Sequence, residues 1–186
     1  SVTSSGKMDF SKLNQRQLTA ETIIKPFKCT EDDLNGFLFD DAKHFQKELM
    51  AVTYLLEREN DNVTVAYFSL LADKISFNPE EKSVWNKLNR GIPNPKRRRS
   101  YPAVKIDRLA VNENYSGKGV GTFLIDSIKY AFTTVKRLGC RFLTVDALQS
   151  ATSFYERNGF RFFTEQDRED ETRLMFFDLK NFEEKQ

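Results

Sequence analysis

Tyr115-Ser116-Gly117-Lys118-Gly119-Val120-Gly121-Thr122 is the stretch whose reading decides the fold. A β-rich run, Val104-Lys105-Ile106-Asp107-Arg108-Leu109-Ala110-Val111, leads into it, and an amphipathic segment over 120–138 leads out. Three glycines at alternate positions leave backbone N–H groups uncovered where a helix begins, and the helix dipole adds positive potential there. Such a turn suits a pyrophosphate. A P-loop would need Gly-Lys followed by Ser or Thr, but Gly119 follows Lys118. A dinucleotide fingerprint would need a further glycine where Thr122 stands, and a tighter join than Asn112-Glu113-Asn114-Tyr115. Both rivals fail on spacing.

Working outward, Val120, Leu124, Ile128 and Phe132 recur every fourth residue, with Phe123, Val135 and Leu138 beside them, which predicts one buried helical stripe closed by Gly139 as its C′ residue. Residues 141–148 read as a strand, 150–157 as a short helix ended by Gly159, and 160–164 with 172–179 as a last hairpin around an acidic loop. Upstream, 21–27 reads as a first strand that buries Ile23 and Ile24. Thr30 is the expected N-cap of a helix carrying Leu34, Phe37 and Leu38, and a second helix covers 41–50. Residues 52–58 and 62–70 predict an antiparallel hairpin. Between 78 and 100 apolar periodicity lapses and three prolines fall, so an inserted basic loop with a short helix near 84–88 is expected there. The order β-α-α-β-β, then β-α-β-α-β-β, is mixed α/β.

Composition bounds the rest. The 186 residues, 39% hydrophobic and rich in phenylalanine, suffice for a real core, and a net charge of +2 argues against a general polyanion binder. The expected organisation is a flexible N-terminus or tag remnant over 1–18, then one domain over 19–186. No apolar run reaches the ~20 residues that span a bilayer, so no membrane partner is expected. Residues 1–10 lack the apolar core of a signal peptide. Cys29 and Cys140 lie far apart and share no ligand spacing with the lone His44, so neither a disulfide nor a metal is expected, and a reducing cytoplasm fits.

With Phe154-Tyr155-Glu156-Arg157-Asn158-Gly159-Phe160 downstream of the glycine turn, the layout resembles the GCN5-related N-acetyltransferase (GNAT) superfamily. Gly119 and Gly121 match the family's Gln/Arg-x-x-Gly-x-Gly/Ala turn, while Ser116 stands where Gln or Arg is usual. The resemblance implies a mixed, mostly antiparallel sheet flanked by helices, with acetyl-coenzyme A as co-substrate. It places the pyrophosphate on Ser116, Gly117, Lys118, Gly119, Val120, Gly121 and Thr122. Pantetheine would lie along the backbone of Leu109, Ala110 and Val111, where the strand splays from its parallel neighbour. A donor at the end of that strand would also stabilise the oxyanion.

Acetyl transfer needs a neutral amine, a stabilised oxyanion and a stabilised leaving thiolate. The motif assigns Tyr155 as general acid toward the sulfur. Reference values make full proton transfer from phenol to thiolate uphill by about 1.5 pKa units, roughly 2 kcal/mol. The family mechanism is direct attack without a covalent enzyme intermediate, and Cys140 is read as a strand-start cysteine rather than a nucleophile. Asp107 and Arg108 are candidates for the rim of the acceptor site.

Two segments, Phe27-Lys28-Cys29-Thr30-Glu31-Asp32-Asp33-Leu34-Asn35-Gly36-Phe37-Leu38 and Val65-Ala66-Tyr67-Phe68-Ser69-Leu70, are similar to the toxins of this superfamily that acetylate aminoacyl-tRNA. Arg108-Leu109-Ala110-Val111 and Val145-Asp146-Ala147-Leu148 continue the likeness. It implies a primary amine acceptor, here the α-amine of charged tRNA, an antitoxin partner and a homodimer. Lys96, Arg97, Arg98, Arg99, Lys105 and Arg108 against Asp107 give a local net charge of +5, so Arg97, Arg98, Arg99 and Arg108 are the expected substrate contacts. A small-molecule amine or a protein N-terminus as acceptor, or a coenzyme A-binding module without transfer, are the competing readings.

Overall fold

A computed structural model describes residues 8–183. The strands are β1 (Leu13–Gln17), β2 (Val52–Arg58), β3 (Thr64–Ser76), β4 (Ser100–Val111), β5 (Phe142–Leu148), β6 (Arg161–Phe162) and β7 (Thr172–Asp178). The α-helices are α1 (Asp32–Gly36), α2 (Ala42–Lys47), α3 (Lys82–Asn89), α4 (Val120–Thr134) and α5 (Thr152–Arg157). The strands hydrogen-bond in the order β1-β2-β3-β4-β5-β7-β6. The registered pairs are antiparallel except β4 with β5, so the mixed, mostly antiparallel α/β expectation holds. Among the described residues no helix is long and apolar enough to cross a membrane.

The chain forms two compact units, one up to Leu71 together with Ile106–Ser127, the other Ala72–Lys105 together with the residues from Ile128 on. In the first, β2 and β3 form the expected hairpin, with a register shift between Leu56 and Glu57. Its core gathers Leu18, Phe27, Phe37, Leu38, Leu55, Tyr67 and Ala110. Tyr67 is fully buried, and its hydroxyl donates to the Leu34 carbonyl at 2.6 Å. Losing that bond would leave a buried polar group unpaired, at a cost of about 1–3 kcal/mol. Burial raises the phenol's pKa far above its ordinary value.

Several expectations fail in this unit. Residues 21–27 are irregular and Ile23 is 76% exposed; Pro26 denies the segment a ladder donor, and the edge strand is β1 instead. Part of the segment expected to be a loose N-terminus is thus structured. Leu13–Gln17 pairs residue by residue with β2, Arg16 forks onto the buried Glu57 carboxylate, and Leu18 is fully buried. Residues 1–7 lie outside the described residues. The first helix begins at Asp32 with Glu31 as its N-cap, so Thr30 is not the cap; α1 runs on into a π-helical turn over Phe37–Asp41, which buries Phe37 and Leu38 as expected.

In the second unit, β5 pairs antiparallel with β7 over Phe142↔Asp178 to Leu148↔Thr172. β4 joins β5 in parallel at Ala103↔Phe142, Val104↔Leu143 and Lys105↔Thr144, and runs six residues beyond the last of these. The expected loop at 78–100 is largely ordered. Trp85, Leu88 and Ile92, with Tyr101 and Phe142, form a core cluster, because α3 carries its few apolar residues on one side. Tyr101 lies stacked on Trp85 at 5.3 Å. α4 also ends sooner than expected: Val135 and Leu138 are 56% and 61% exposed, outside the helix and outside any buried stripe. Gly139 therefore caps nothing. The stripe instead contains Val120, Leu124, Ile125 and Ile128, all buried, each worth about 1.5–3 kcal/mol.

Candidate active site

In the first unit the turn before α4 is built by Asn112. Its amide donates to the Val65 carbonyl, its side-chain nitrogen donates to the Thr64 carbonyl, and its Oδ1 accepts from Asn114. A buried asparagine thus nails the end of β4 to β3 and launches a short 3-10 turn, Glu113–Tyr115. Gly117 and Gly119 then take left-handed backbone, with φ of +72° and +80°. A Cβ at Gly117 would meet nothing within 4 Å, and at Gly119 only a Phe10 ring atom at 3.8 Å. The conformation, not crowding, is what calls for glycine here.

The Ser116 amide is spent on the Glu113 carbonyl at 3.3 Å, so this expected cofactor contact has no free N–H. The Phe123 amide closes onto the Gly119 carbonyl. Among the described residues, the amides of 117–122 between them have no hydrogen-bond partner. Gly117, Lys118, Gly119, Val120, Gly121 and Thr122 therefore form a row of donors at the positive end of a 15-residue helix, a fit for an anion such as a pyrophosphate. Of the residues before the turn, Leu109 and Val111 are half-buried and Ala110 is buried in the first unit's core.

Arg108 lies with its guanidinium 4.9 Å from the Phe37 ring and 3.8 Å from the Asp107 carboxylate. Asp107 and Arg108 are therefore within reach of one another, despite the alternation of a strand.

In the second unit Tyr155 sits on α5, only 6% exposed, edge-on to Phe154 and to Phe160 at 5.0 and 5.3 Å. Burial pushes its phenol well above the ordinary value. Its hydroxyl has no hydrogen-bond partner among the described residues, and it is not a wholly enclosed atom; only Thr64 Oγ1 is both enclosed and unpartnered. The ring is thus anchored while the hydroxyl remains able to donate. Gly159, at φ +86°, ends the helix as expected.

Lys129, absent from the sequence reading, is buried at 5% and donates to the Asn158 carbonyl beside that end, with its ammonium 3.8 Å from the Phe177 ring. A lysine on the inner stripe of α4 was its only sequence signal. Cys140 has its thiol pKa pushed up to about 11 by burial, which suits an inert thiol and not a nucleophile.

Two of the expected substrate contacts are engaged elsewhere. Arg97 donates to the carbonyls of Ile92 at 3.2 Å and Asn89 at 3.2 Å, closing the end of α3. Arg99 lies over the Phe77 ring at 5.1 Å. Arg98 is exposed, with only its amide held, by the Tyr101 hydroxyl.

Comparison with known proteins finds similarity over part of the chain in sequence and over most of it in fold. Residues 88–162 match the family model described as "Acetyltransferase (GNAT) domain". A tyrosine-to-phenylalanine mutant of KacT is similar at TM-score 0.72 and 23% identity, covering 91% of this chain and 96% of its own. A mutant of the AtaT toxin, bound to the C-terminus of the antitoxin AtaR and acetyl-CoA, matches at TM-score 0.71 and 21% identity over 91% and 94% of the two chains. AtaT complexed with acetyl-methionyl-tRNAfMet matches at TM-score 0.68 and 24% identity, over 90% and 95%. The matched segment spans the glycine turn, α4 and the Tyr155 helix, so the similarity to the GNAT acetyltransferase domain falls on the part of the chain that carries them.

Proposed function

We propose that the protein transfers acetyl from acetyl-coenzyme A to the α-amine of an aminoacyl-tRNA by direct attack. The observation that carries the cofactor half is the row of unpartnered amides at 117–122, opened by two left-handed glycines. Gly117 to Thr122 would hold the pyrophosphate, with Ser116 at the rim. The backbone of Leu109, Ala110 and Val111 would take the pantetheine amides.

The neutral amine nitrogen attacks the thioester carbonyl and gives up one proton to solvent, the carbon–sulfur bond breaks, and the departing thiolate must be stabilised or take up a proton. Tyr155 is assigned to that thiolate by its place in the Phe154-to-Phe160 motif and by its available hydroxyl. With the phenol's pKa raised, complete proton transfer lies further uphill than the reference gap of about 1.5 units. Its contribution is then a hydrogen bond to the sulfur.

The acceptor half rests on likeness. One similar structure is AtaT with acetyl-methionyl-tRNAfMet, and others are toxins with their antitoxins, so an antitoxin partner is part of the proposal. The deciding test is transfer of labelled acetyl from acetyl-coenzyme A to a pool of aminoacylated tRNA. Label on charged but not on deacylated tRNA is expected. Label on small amines or protein N-termini alone would return the acceptor to those classes, and cofactor binding without any transfer would leave a binding module.

A further inference from the structure

The second unit contains a cavity of about 1260 Å³ beside α3, β6 and β7. Besides Arg141, four cations line it: Lys87 and Arg90 at the end of α3, Arg161 on β6, and Lys180 just past β7. All four are exposed, and among the described residues none of their side chains has an ion-pair, hydrogen-bond or ring partner.

The acids at the same cavity are spent. Asp178 is held by the Arg141 fork at 2.7 and 2.9 Å, and Arg141 also donates to the Gly91 carbonyl at 2.9 Å. Glu165 lies 3.6 Å from Arg168 and 3.8 Å from Arg173. The α3 side is itself pinned: Arg97 holds the Asn89 and Ile92 carbonyls, and the Tyr101 hydroxyl donates to Asn89 at 2.6 Å. Four unpaired like charges at a cavity whose two acids already face arginines are a surplus that an anionic ligand would relieve.

The walls are aromatic. Phe162, Phe163 and Phe176 line the same space and are each half-buried. Phe163 and Phe176 meet edge to face at 6.0 Å, and the Arg173 guanidinium backs Phe162 at 3.8 Å. Supported rings with part of their surface open are platforms for flat groups. The volume exceeds the roughly 300–1,000 Å³ usual for small ligands, so a polymer segment fits better. Cations that track a backbone beside rings that stack bases are the arrangement that binds single-stranded nucleic acid.

We propose that this cavity seats a single-stranded stretch of RNA, its phosphates on Lys87, Arg90, Arg161 and Lys180 and its bases against Phe162, Phe163 and Phe176. The proposal rests on charged tRNA as the acceptor for the source of that strand. It moves RNA contact away from Arg97 and Arg99, whose side chains already have partners.

The test is fluorescence anisotropy with a labelled 12-nucleotide uridylate, over a range of salt concentrations. Four phosphate contacts predict a slope of log affinity against log salt of about −2.8, from about −0.7 per contact on single strands. The variant Lys87→Ala/Arg161→Ala removes two contacts, so a slope of about −1.4 and affinity at least roughly tenfold weaker at low salt are expected. Its melting temperature should stay that of wild type, because neither side chain has an internal partner. Lys136→Ala, an exposed lysine outside the cavity, should bind as wild type.

In the transfer assay, the double variant should raise KM for charged tRNA with kcat and transfer to a small primary amine unchanged. Wild-type uridylate affinity in the double variant would overturn the proposal. So would equal displacement of uridylate by a 12-residue polyglutamate, which would name an acidic protein segment as the occupant. If wild type binds uridylate as described yet acetylates no charged tRNA, the acceptor reading falls and the RNA groove stands. If transfer occurs but KM ignores the double variant, the groove falls and the acceptor reading stands.

Discussion

Two helix ends in this protein are marked by left-handed glycines, and they put the same backbone freedom to opposite uses. At the start of α4, Gly117 has open space around it, Gly119 would touch only a Phe10 ring atom at 3.8 Å, and the amides of 117–122 have no partner among the described residues. At the end of α5, Gly159 is crowded. A Cβ there would lie 3.1 Å from the Phe177 ring, and the neighbouring Asn158 carbonyl already accepts from Lys129. One end leaves its donors unpaired among the described residues, while the other has an acceptor satisfied from within. A positive φ therefore tells only that glycine is needed. What surrounds it tells whether the reason is a ligand or the packing.

The sharpest way to break the comparison is Gly119→Glu. A carboxylate at an anion cradle, on backbone at φ +80°, should weaken acetyl-coenzyme A binding by roughly 100-fold or more in calorimetry, about 2.7 kcal/mol. Gly119→Ala should cost far less, since it adds strain without charge. Equal losses in the two variants would mean that conformation, not electrostatics, governs this end.

Tyr155→Phe comes next. A hydrogen bond to the departing sulfur predicts kcat lower by about 100-fold, with KM for acetyl-coenzyme A unchanged. Because burial raises the phenol's pKa, Tyr155 stays protonated through neutral pH, and the wild-type and variant kcat profiles should run parallel below about pH 10. The linked stability has the same sign: it is whole below the unfolded phenol's pKa of about 10 and declines as pH rises further. A wild-type profile that bends near neutral pH and straightens in the variant would contradict the burial argument.

The smallest effect is expected at the packed end. Gly159→Ala should cost about 2 kcal/mol of unfolding free energy, from a non-glycine residue in left-handed backbone and the displaced Phe177 ring. Urea denaturation measures it. Acetyl-coenzyme A affinity should hold, and a loss of affinity without a loss of stability would erase the distinction between the two ends.

Much of the fold was legible because periodicity reports burial directly. The hairpin β2–β3, the strand β5 and the pair β6–β7 follow alternation and turn residues, and the glycine turn follows local conformational need. Legibility failed where a residue's partner is remote in sequence. Leu13–Gln17 reads as polar drift, yet it pairs with β2 some 40 residues on, where Glu57 receives Arg16. Residues 78–100 lack a regular pattern because α3 needs only Trp85 and Leu88 to seat it, on rings supplied by Tyr101 and Phe142. Val135 and Leu138 continue the helical pattern of α4 on paper, but α4 stops at Thr134 and leaves them exposed. Among the site residues, Arg97 and Arg99 read as surplus charge, and only coordinates reveal the carbonyls and ring that hold them.

By itself, the sequence determined what is local: which stretches alternate, where glycine must take φ above zero, and which aromatic helix carries Tyr155. Those follow from steric and hydrophobic terms that act within a few residues. The tertiary structure decided which charges remain unspent and which polar groups are buried. Lys129, Arg97 and Arg173 became packing elements, while Lys87, Arg90, Arg161 and Lys180 kept no side-chain partner among the described residues. The reason is that a charge is neutralised by whatever the fold brings within about 4 Å, and nothing in sequence order sets that distance.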